Sequence, residues 1–449
     1  MLLQFATLAM LASPLLASNF GKVYPSEKRT MHDEKTGVEM IVLTEGPASD
    51  SKPYQTHTTW TVDHQWIIFR SDRGDHGRQI FLVNQDNGKI IQLTDEPDTN
   101  VGSINLSEKS MKLYYTRGGK SDLVKEGEER PEELVELDLA KLIPDALKGN
   151  VKDKSNYERV VVVLPEDLHG SGGMALDPDD SAMYWGVGWA PSEAEQKARA
   201  KEREALMKGR RDIDQSNTDP NASREAARKR FELNGRGPGG IRRIDIKTGE
   251  ITKVIDVDFR MGHVQTNPWK PGEIIYCHET TGDAPQRMWM VQADGSGNRP
   301  VYPETEDEWI THETVCGKDE LMFNIMGHLP YLRERPTGIA VVNLRTNSMK
   351  ILGQVEEDLP NGTQGGFWHS NGSPDGEWAV GDTFEGNVFL IDRDNGKRTL
   401  LTTNHQMRPD HTHPIFSPDS QYVLIQSGML SQGENLDLIM VPVPEKDHD

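Results

Sequence analysis

A short motif repeats along the chain and constrains the fold more than any other feature. A histidine, three residues and a Ser-Pro-Asp turn occur at His369-Ser-Asn-Gly-Ser373-Pro-Asp and again at His413-Pro-Ile-Phe-Ser417-Pro-Asp. Weaker copies begin at His57 and His312, with the histidine in the same place. Each copy precedes an apolar run typical of a β-strand. Units of several short strands at regular spacing indicate a repeat architecture.

Seven such units follow one another along the chain. The first is the clearest, with strand-like runs at Trp66–Phe69, Gln79–Val83 and Lys89–Thr94 and an Asn-Gly hairpin signal before the third. Seven four-stranded units predict an all-β, seven-bladed β-propeller, in which we expect the strand after each turn to line the central channel. The last unit lacks a strand, and the run at residues 37–43 is expected to supply it and close the ring. The regular repeat disfavours a β-sandwich.

Three segments lie outside the repeat. Residues 191–234 are rich in Ala, Glu, Lys and Arg and predict a helical insertion in the third blade, and residues 139–156 predict a smaller one. The apolar run from Leu2 to Ala17 resembles a signal peptide. We therefore expect a signal peptide at residues 1–18, a single propeller domain at 19–449, and a periplasmic or secreted protein.

The charge of the chain limits its partners. Fifty lysines and arginines face 71 aspartates and glutamates, a formal charge of -21, which argues against binding to nucleic acid or to anionic membranes. No later run is long enough to span a bilayer. An anionic ligand would need a local concentration of Arg, His or metal charge. The two cysteines, Cys277 and Cys316, are interpreted as small buried residues rather than a disulfide framework.

The repeat brings histidines into register. The residue four before the turn, taken through the seven units, is His57, Ser103, Gly173, Thr266, His312, His369 and His413. Four histidines in consecutive blades of a closed ring are expected to cluster at one mouth of the channel, and His411 adds a fifth. Such a cluster favours a divalent metal such as Mn, Zn, Fe or Ni. Nearby arginines that could hold carboxylates are Arg287, Arg70, Arg73 and Arg117.

With these residues in place, the chain resembles the oligogalacturonate lyases, the family 22 polysaccharide lyases, from about Gly21 to Pro444. The resemblance rests on seven short motifs: Tyr24-Pro-Ser-Glu-Lys28, Pro53-Tyr-Gln-Thr-His57, Gly172-Gly-Met-Ala-Leu176, Cys277-His-Glu279, Arg287-Met-Trp289, Thr311-His-Glu313 and His411-Thr-His-Pro414. It implies a seven-bladed propeller that cleaves short, de-esterified galacturonides by β-elimination with a manganese-type ion.

The resemblance also implies roles for particular residues. It makes His312 the catalytic base and Arg287 the essential arginine, and the implied metal ligands are His369, His411 and His413. A glutamine completes the family's ligand set, but Arg408 occupies that position here. Because a guanidinium is not a normal ligand, we expect Gln406, Asp410, His57 or water to complete the shell, and we interpret His57 and Arg408 as substrate-binding.

The expected activity is thus that of a carbon–oxygen lyase acting on a small oligogalacturonide with Mn²⁺ as cofactor. One alternative is a lyase for another uronic-acid oligosaccharide, and a second is a non-catalytic periplasmic propeller of the TolB-like binding type. A serine-peptidase propeller is disfavoured because the chain has no Gly-x-Ser-x-Gly elbow. The sequence leaves open the exact uronide, its chain length and the oligomeric state.

Overall fold

The computed structural model describes residues 18–216, 220–305, 308–325, 338–355 and 366–446. In this part of the chain the strands form seven antiparallel sheets of four or five strands. The N-terminal strands are β1 Val23–Tyr24, β2 Arg29–His32, β3 Glu39–Val42 and β4 Asp50–Ser51. Blade one has the order β1-β7-β6-β5-β4, with β5 Trp66–Ser71, β6 Gln79–Asn84 and β7 Ile90–Gln92.

Blades two to six are each built from strands in simple chain order. Blade two contains β8 Thr99–Leu106, β9 Lys112–Arg117, β10 Glu133–Asp138 and β11 Glu158–Val163. Blade three contains β12 His169–Leu176, β13 Ala182–Gly188, β14 Arg236–Asp245 and β15 Ile251–Phe259. Blade four contains β16 Met261–Thr266, β17 Glu273–His278, β18 Met288–Gln292 and β19 Arg299–Pro300.

The last three blades complete the ring. Blade five contains β20 Ile310–Gly317, β21 Glu320–Ile325, β22 Gly338–Asn343 and β23 Met349–Gly353. Blade six contains β24 Phe367–Gly372, β25 Trp378–Thr383, β26 Val388–Asp392 and β27 Arg398–Thr402. Blade seven contains β28 Ile415–Phe416, β29 Tyr422–Ser427 and β30 Asp437–Pro442, together with β2 and β3. The seven-bladed prediction is confirmed.

The N-terminus supplies the missing strand of blade seven. Strand β3 pairs with β30 through Ile41 opposite Met440 and Val42 opposite Ile439, and β2 adds a fifth strand outside β3. The two ends of the chain therefore share one sheet, as the sequence predicts for residues 37–43. Pairing of this kind removes the open sheet edges that an unclosed ring would expose.

The prediction that the strand after each turn lines the channel was wrong. The innermost strand of each blade precedes the turn, as β24 precedes the turn at Ser373, and the apolar strand after the turn is second in the sheet. From blade two to blade seven, successive innermost strands contact one another. They carry many small and polar residues because they border the channel, so they give a weak apolar signal.

The Ser-Pro-Asp motif forms the turn between the first two strands of a blade. In blade six, Ser373 Oγ donates to Asp375 Oδ1 at 2.5 Å and accepts from the Trp378 N–H at 2.8 Å. Ser417 makes the same two bonds in blade seven, to Asp419 and from Tyr422. The motif repeats because the same hydrogen-bonded turn follows the innermost strand in each of these blades.

The core lies between blades. Among the described residues, seven apolar clusters each join two neighbouring blades, including the junction of blade seven with blade one, where Trp60 and Phe69 share a cluster with Leu424 and Leu438. Alternate residues of a strand face opposite neighbours, so the middle strands are apolar on both faces. Cys277 and Cys316 are both free and buried in this packing.

Helices occur outside the blades. Helix α1, Leu139–Leu147, follows β10 and buries Leu139, Leu142 and Ile143. Between β13 and β14 the chain forms α2, Glu193–Ser216, and α3, Pro220–Asn234. No helix of the described chain combines the length and hydropathy that a bilayer span requires. The expected signal peptide at residues 1–18 lies, apart from its last residue, outside the described residues.

Candidate active site

Bulges in the innermost strands aim a set of histidines into one mouth of the channel. The pairing register of β16, β20 and β24 shifts next to His263, His312 and His369. His263, His312 and His413 also have positive φ angles of 45°, 57° and 45°. An extra residue in a strand bends the backbone and re-aims its side chain, so these blades each direct an imidazole to the same place.

His263, and not Thr266, is the blade-four member of this set. The blade-four turn begins at Asn267, whose N–H donates to Glu273 O at 3.0 Å and whose Oδ1 accepts from the Trp269 N–H at 3.0 Å. His263 lies four residues before it. Blade four has an Asn-Pro-Trp turn where other blades have Ser-Pro-Asp. Without the Ser-Pro-Asp motif, the sequence placed the equivalent position at Thr266, three residues after His263. A search for any Asx or Ser turn before a strand would have found it.

Tyr54 lies at the centre of the histidines. The innermost strand of blade one is interrupted between β4 and the Trp60–Ile67 bridge, and residues 52–59 leave the sheet there. The Tyr54 ring centroid lies 5.1 Å from that of His263 and 5.4 Å from that of His413, and its hydroxyl lies 2.6 Å from His312 Nδ1. Burial raises the pKa of Tyr54 well above its ordinary value, so the phenol stays neutral.

Three further imidazoles form a cluster beside His312. The ring centroids of His369 and His413 are 3.8 Å apart, those of His369 and His411 are 5.3 Å apart, and those of His312 and His369 are 4.2 Å apart. The buried carboxylate of Asp382 orients this cluster. It lies 3.2 Å from His369 Nδ1 and accepts hydrogen bonds from the His369 and His413 backbone N–H groups.

The donor set fits a divalent metal. The Nδ1 atoms of His411 and His413 are buried and have no hydrogen-bond partner in the described structure, although buried ring nitrogens are normally satisfied. Burial, followed by the charges of His413 and His411, lowers the pKa of His369 well below its ordinary value, and burial lowers the pKa of His411. These two imidazoles are therefore neutral near pH 7, the form that binds metal.

Asp410, like Asp382, is a carboxylate in contact with a histidine of the cluster. Its Oδ1 lies 3.2 Å from His413 Nε2, and its Oδ2 accepts from Gln426 Nε2 at 3.0 Å. His369, Asp382 and His411 also place ligand atoms within 4.8 Å of one another. Of the alternatives considered for the shell, Asp410 is the one that the structure places in contact with a cluster histidine.

Arg287 is held against the base by a buried ion pair. Its Nε donates to Glu313 Oε2 at 2.9 Å, and its Nη2 lies 3.7 Å from Glu279 Oε2. The Glu313 carboxyl is fully buried; burial alone would raise its pKa, but Arg287 and His263 hold the pKa well below its usual range. Glu313 is thus a carboxylate that fixes Arg287 in the blade-four side of the site.

His312 has the properties of a base. Burial, followed by the charges of His369 and Arg287, lowers its pKa well below the ordinary value, so the imidazole is neutral. Its Nδ1 is occupied by Tyr54, while Nε2 is buried and has no partner among the described residues. In the tautomer in which Nδ1–H donates to the Tyr54 hydroxyl, Nε2 carries the lone pair that proton abstraction requires.

Two residues predicted for the site do not join the histidine cluster. The ring nitrogens of His57 lie 2.7 Å from Met174 O and 2.9 Å from Thr56 Oγ1, so His57 bridges to blade three. Arg408 is exposed. The substrate-binding role of both residues stays a prediction.

The other arginines divide into two kinds. Arg73 is buried in ion pairs with Glu27 and Asp50, and Arg117 pairs with Glu96, Glu133 and Glu158. Arg117 ends β9 and Arg73 follows β5, and both strands are second in their blades rather than innermost. The two arginines thus stabilise the blades through ion pairs. Arg70 differs, because its Nε is buried and has no hydrogen-bond partner in the described chain. Burial and the charge of Arg70 lower the pKa of Lys52 to about 7.

Fold and site together define a seven-bladed propeller with a histidine centre at one channel mouth. A family model described as oligogalacturonate lyase matches residues 229–331. The oligogalacturonate lyase of Dickeya dadantii and the oligogalacturonide lyase of Pectobacterium atrosepticum are each 25% identical over 205 residues, which is 41% of this chain and 51% of theirs. The chain thus matches these curated relatives over about half of their length.

Solved structures extend the similarity to the whole fold. An oligogalacturonate lyase in complex with manganese superposes with a TM-score of 0.70 at 22% identity, covering 95% of this chain and 98% of that one. The oligogalacturonate lyase from Vibrio parahaemolyticus gives 0.70 at 20% identity, covering 95% and 99%. The resemblance to oligogalacturonate lyases that the sequence motifs indicated is therefore confirmed.

Proposed function

We propose that this chain is an oligogalacturonate lyase, a carbon–oxygen lyase that cleaves short galacturonides by metal-assisted β-elimination to unsaturated uronides. One observation carries the proposal: the His369, His411 and His413 cluster, with unpartnered buried nitrogens, lies against His312. Similarity in sequence and fold to oligogalacturonate lyases supports it.

The proposed cofactor is a divalent metal, Mn²⁺ by analogy with the related lyase solved with manganese. His369, His411 and His413 would hold it, with Asp410 placed to complete the shell. Bound there, the ion supplies Lewis-acid charge that neutralises the carboxylate of the uronide. Imidazole and carboxylate are ordinary ligands for such an ion.

The chain's own residues perform the proton chemistry. The C5 proton of a uronide is weakly acidic until the adjacent carboxylate is neutralised, and Arg287 stabilises the negative charge that develops on that group. His312 Nε2 removes the proton. Tyr54 holds the other ring nitrogen, and Glu313 fixes the guanidinium of Arg287, so both groups are positioned before substrate binds.

The test is ultraviolet absorbance of the conjugated product with digalacturonate as substrate. We expect absorbance to rise with the Mn-loaded protein, to stop after EDTA treatment, and to return when Mn²⁺ is added back. His312→Ala is expected to reduce kcat by at least about 100-fold. His64→Asn serves as the control, because His64 lies in the turn of blade one, outside the histidine cluster.

Other uronic-acid oligosaccharides belong in the same assay. A metal-dependent rise with another uronide and none with digalacturonate would keep the chemistry and change the substrate, in line with Arg408 at a position where the family has glutamine. If the folded, metal-loaded protein acts on no uronide, the binding-propeller alternative replaces the proposal.

We also propose that the protein is exported to the periplasm or secreted. The apolar run at residues 2–17 supports this. Expression of the full chain in a Gram-negative host followed by cell fractionation tests it. Recovery of unprocessed protein in the cytoplasm only would contradict the proposal.

A further inference from the structure

We infer that His263 is a second catalytic residue, the donor that protonates the leaving oxygen when the glycosidic bond breaks. The inference rests on the proposed function. The sequence motifs assign a base and a charge-stabilising arginine, but they assign no acid. A leaving sugar alkoxide is a poor leaving group unless it is protonated as it departs, so an elimination at this mouth needs one.

His263 occupies the right place for this role. It is the blade-four counterpart of the base, held by the same kind of bulge, and its ring centroid lies 6.4 Å from that of His312. Its side chain is 23% exposed, so the ring is open to the channel mouth. The Tyr54 ring packs against both imidazoles, with centroid distances of 5.1 Å to His263 and 6.4 Å to His312.

Glu313 fixes which nitrogen of His263 faces the substrate. Glu313 Oε1 is buried and has no hydrogen bond in the described structure, and His263 Nδ1 lies 3.0 Å away. The other oxygen is taken by Arg287. A buried carboxylate oxygen requires a donor, and Nδ1–H is the one in reach. Nε2 is therefore the nitrogen left to transfer a proton, with Glu279 Oε2 3.9 Å from it.

Charged groups face both ring nitrogens of His263. Glu313 and Glu279 are carboxylates within 4 Å of its two nitrogens, while Arg287 Nη2 lies 3.5 Å from Nδ1. Carboxylate partners of this kind hold an imidazole in one orientation. His312, in contrast, has no carboxylate on either ring nitrogen among the described residues. The two histidines thus differ in the group that holds them, which is a carboxylate for His263 and a phenol for His312.

A second metal site is a poor alternative at this position. His263, Cys277 and Glu313 do place possible ligand atoms within 4.8 Å of one another. However, the Arg287 guanidinium already neutralises Glu313 and would repel a cation. Burial raises the pKa of the Cys277 thiol well above its ordinary value, so sulfur is not a thiolate ligand.

The step balances without any further reactant. His312 Nε2 takes the proton from C5, the electron pair forms the C4–C5 double bond, and the C4–O4 bond breaks with its electrons passing to O4. His263 Nε2 gives its proton to that oxygen. Exchange with water then returns one proton from His312 and supplies one to His263.

The test separates the two half-reactions. His263→Gln is compared with the wild type and with His312→Ala, in the Mn-loaded protein, for product formation from digalacturonate and for exchange of the C5 proton in deuterated water. We expect His263→Gln to lower product formation at least about 100-fold while retaining C5 exchange, and His312→Ala to lose both. With a 4-fluoro uronide, whose leaving fluoride needs no protonation, His263→Gln should keep most of its rate.

Three results would overturn the inference. His263→Gln could form product at the wild-type rate, or it could lose fluoride release and C5 exchange as completely as elimination, which would mark a structural role. A wild-type protein that acts on no uronide would remove the proposed function and this inference together. Thermal unfolding and bound-metal content of the variant verify that the fold and metal site are intact, and His64→Asn should match the wild type in every assay.

Discussion

Tyr54 connects four blades through one side chain. Its ring packs near His263, His312, His369 and His413, one histidine from each of blades four to seven, although the residue itself belongs to the first blade. Its hydroxyl is bonded to the nitrogen of His312 that is not needed for proton abstraction. Tyr54 therefore sets both the orientation of the base and the packing of the histidines around it.

Tyr54→Phe tests this positioning role. Loss of one hydrogen bond to the base costs about 1.4 kcal/mol, which corresponds to a roughly tenfold fall in kcat. The aromatic ring stays, so Mn²⁺ affinity and melting temperature should change little. Steady-state kinetics and calorimetric metal titration measure these quantities. Tyr24→Phe is the matched control, because the Tyr24 hydroxyl bonds Gln92 Oε1 at 2.8 Å in blade one; equal kcat losses in both variants would contradict the role.

At the scale of residues, the sequence predicted the histidines better than their partners. His312, His369, His411 and His413 do meet, because a repeat places equivalent residues at equivalent positions. Tyr54 could not be found this way, since it lies in a segment that leaves its sheet. Asp382 and Glu313 were given no role because the function of a carboxylate within a strand gives no signal until its three-dimensional partners are known.

At the scale of elements, strand polarity explains the error about the channel. The apolar runs are the middle strands, which are packed between blades, whereas the innermost strands carry residues such as Gly172, Gly173 and Ser103. Hydrophobic patterning identifies a strand by its run of apolar residues. A strand that faces a polar channel has too few apolar residues to be identified in this way. The number of blades was still predictable, because the repeat and its turns are independent of strand polarity.

Gly172 and Gly173 show how tightly one innermost strand fits its neighbour. Both have positive φ, 84° and 87°. A Cβ on Gly172 would lie 2.8 to 3.0 Å from the backbone of Gly262, the residue before His263, whereas a Cβ on Gly173 would meet nothing within 4 Å. The bulge of blade three thus packs against the bulge that presents His263.

This difference predicts unequal effects for two adjacent substitutions. Gly173→Ala should lower the unfolding free energy by about 1 to 2 kcal/mol, because alanine is strained in the left-handed conformation of this residue. Gly172→Ala adds backbone overpacking and should cost about 2 to 5 kcal/mol in total, with a fall in kcat as His263 shifts. Urea unfolding and kinetics measure both. Equal costs for the two variants would show that the contact at Gly262 is not limiting.

At the scale of the whole molecule, two buried carboxyl groups lie where the ring of blades closes. Asp50 of β4 and Asp437 of β30 lie at the junction of blades one and seven, where the Asp50 N–H donates to Leu436 O at 2.7 Å. Burial raises the pKa of Asp50 to about 6 despite its ion pair with Arg73. Burial and the charges of Asp50 and Glu45 raise the pKa of Asp437 to about 7.

The sign of these shifts gives a pH dependence of stability. A carboxyl with a raised pKa binds its proton more tightly in the folded chain, so its contribution is present at about pH 4 and is lost as the pH rises to about 7. Asp437→Asn should therefore raise the unfolding free energy by about 1 kcal/mol at pH 8 and change it little at about pH 4. Thermal unfolding at both pH values tests this, with the exposed Asp86→Asn as control; the same effect at both pH values would contradict it.

The shared sheet of blade seven also sets the order in which the protein can mature. Strands β2 and β3 are synthesised near the start of the chain, and their partner β30 is synthesised last. During translation β3 therefore has an unpaired edge while the six other blades are completed. The ring can close only after residues 437–442 have left the ribosome. Completion of the histidine centre, which needs blades four to seven together with Tyr54 of blade one, is thus a late event in synthesis.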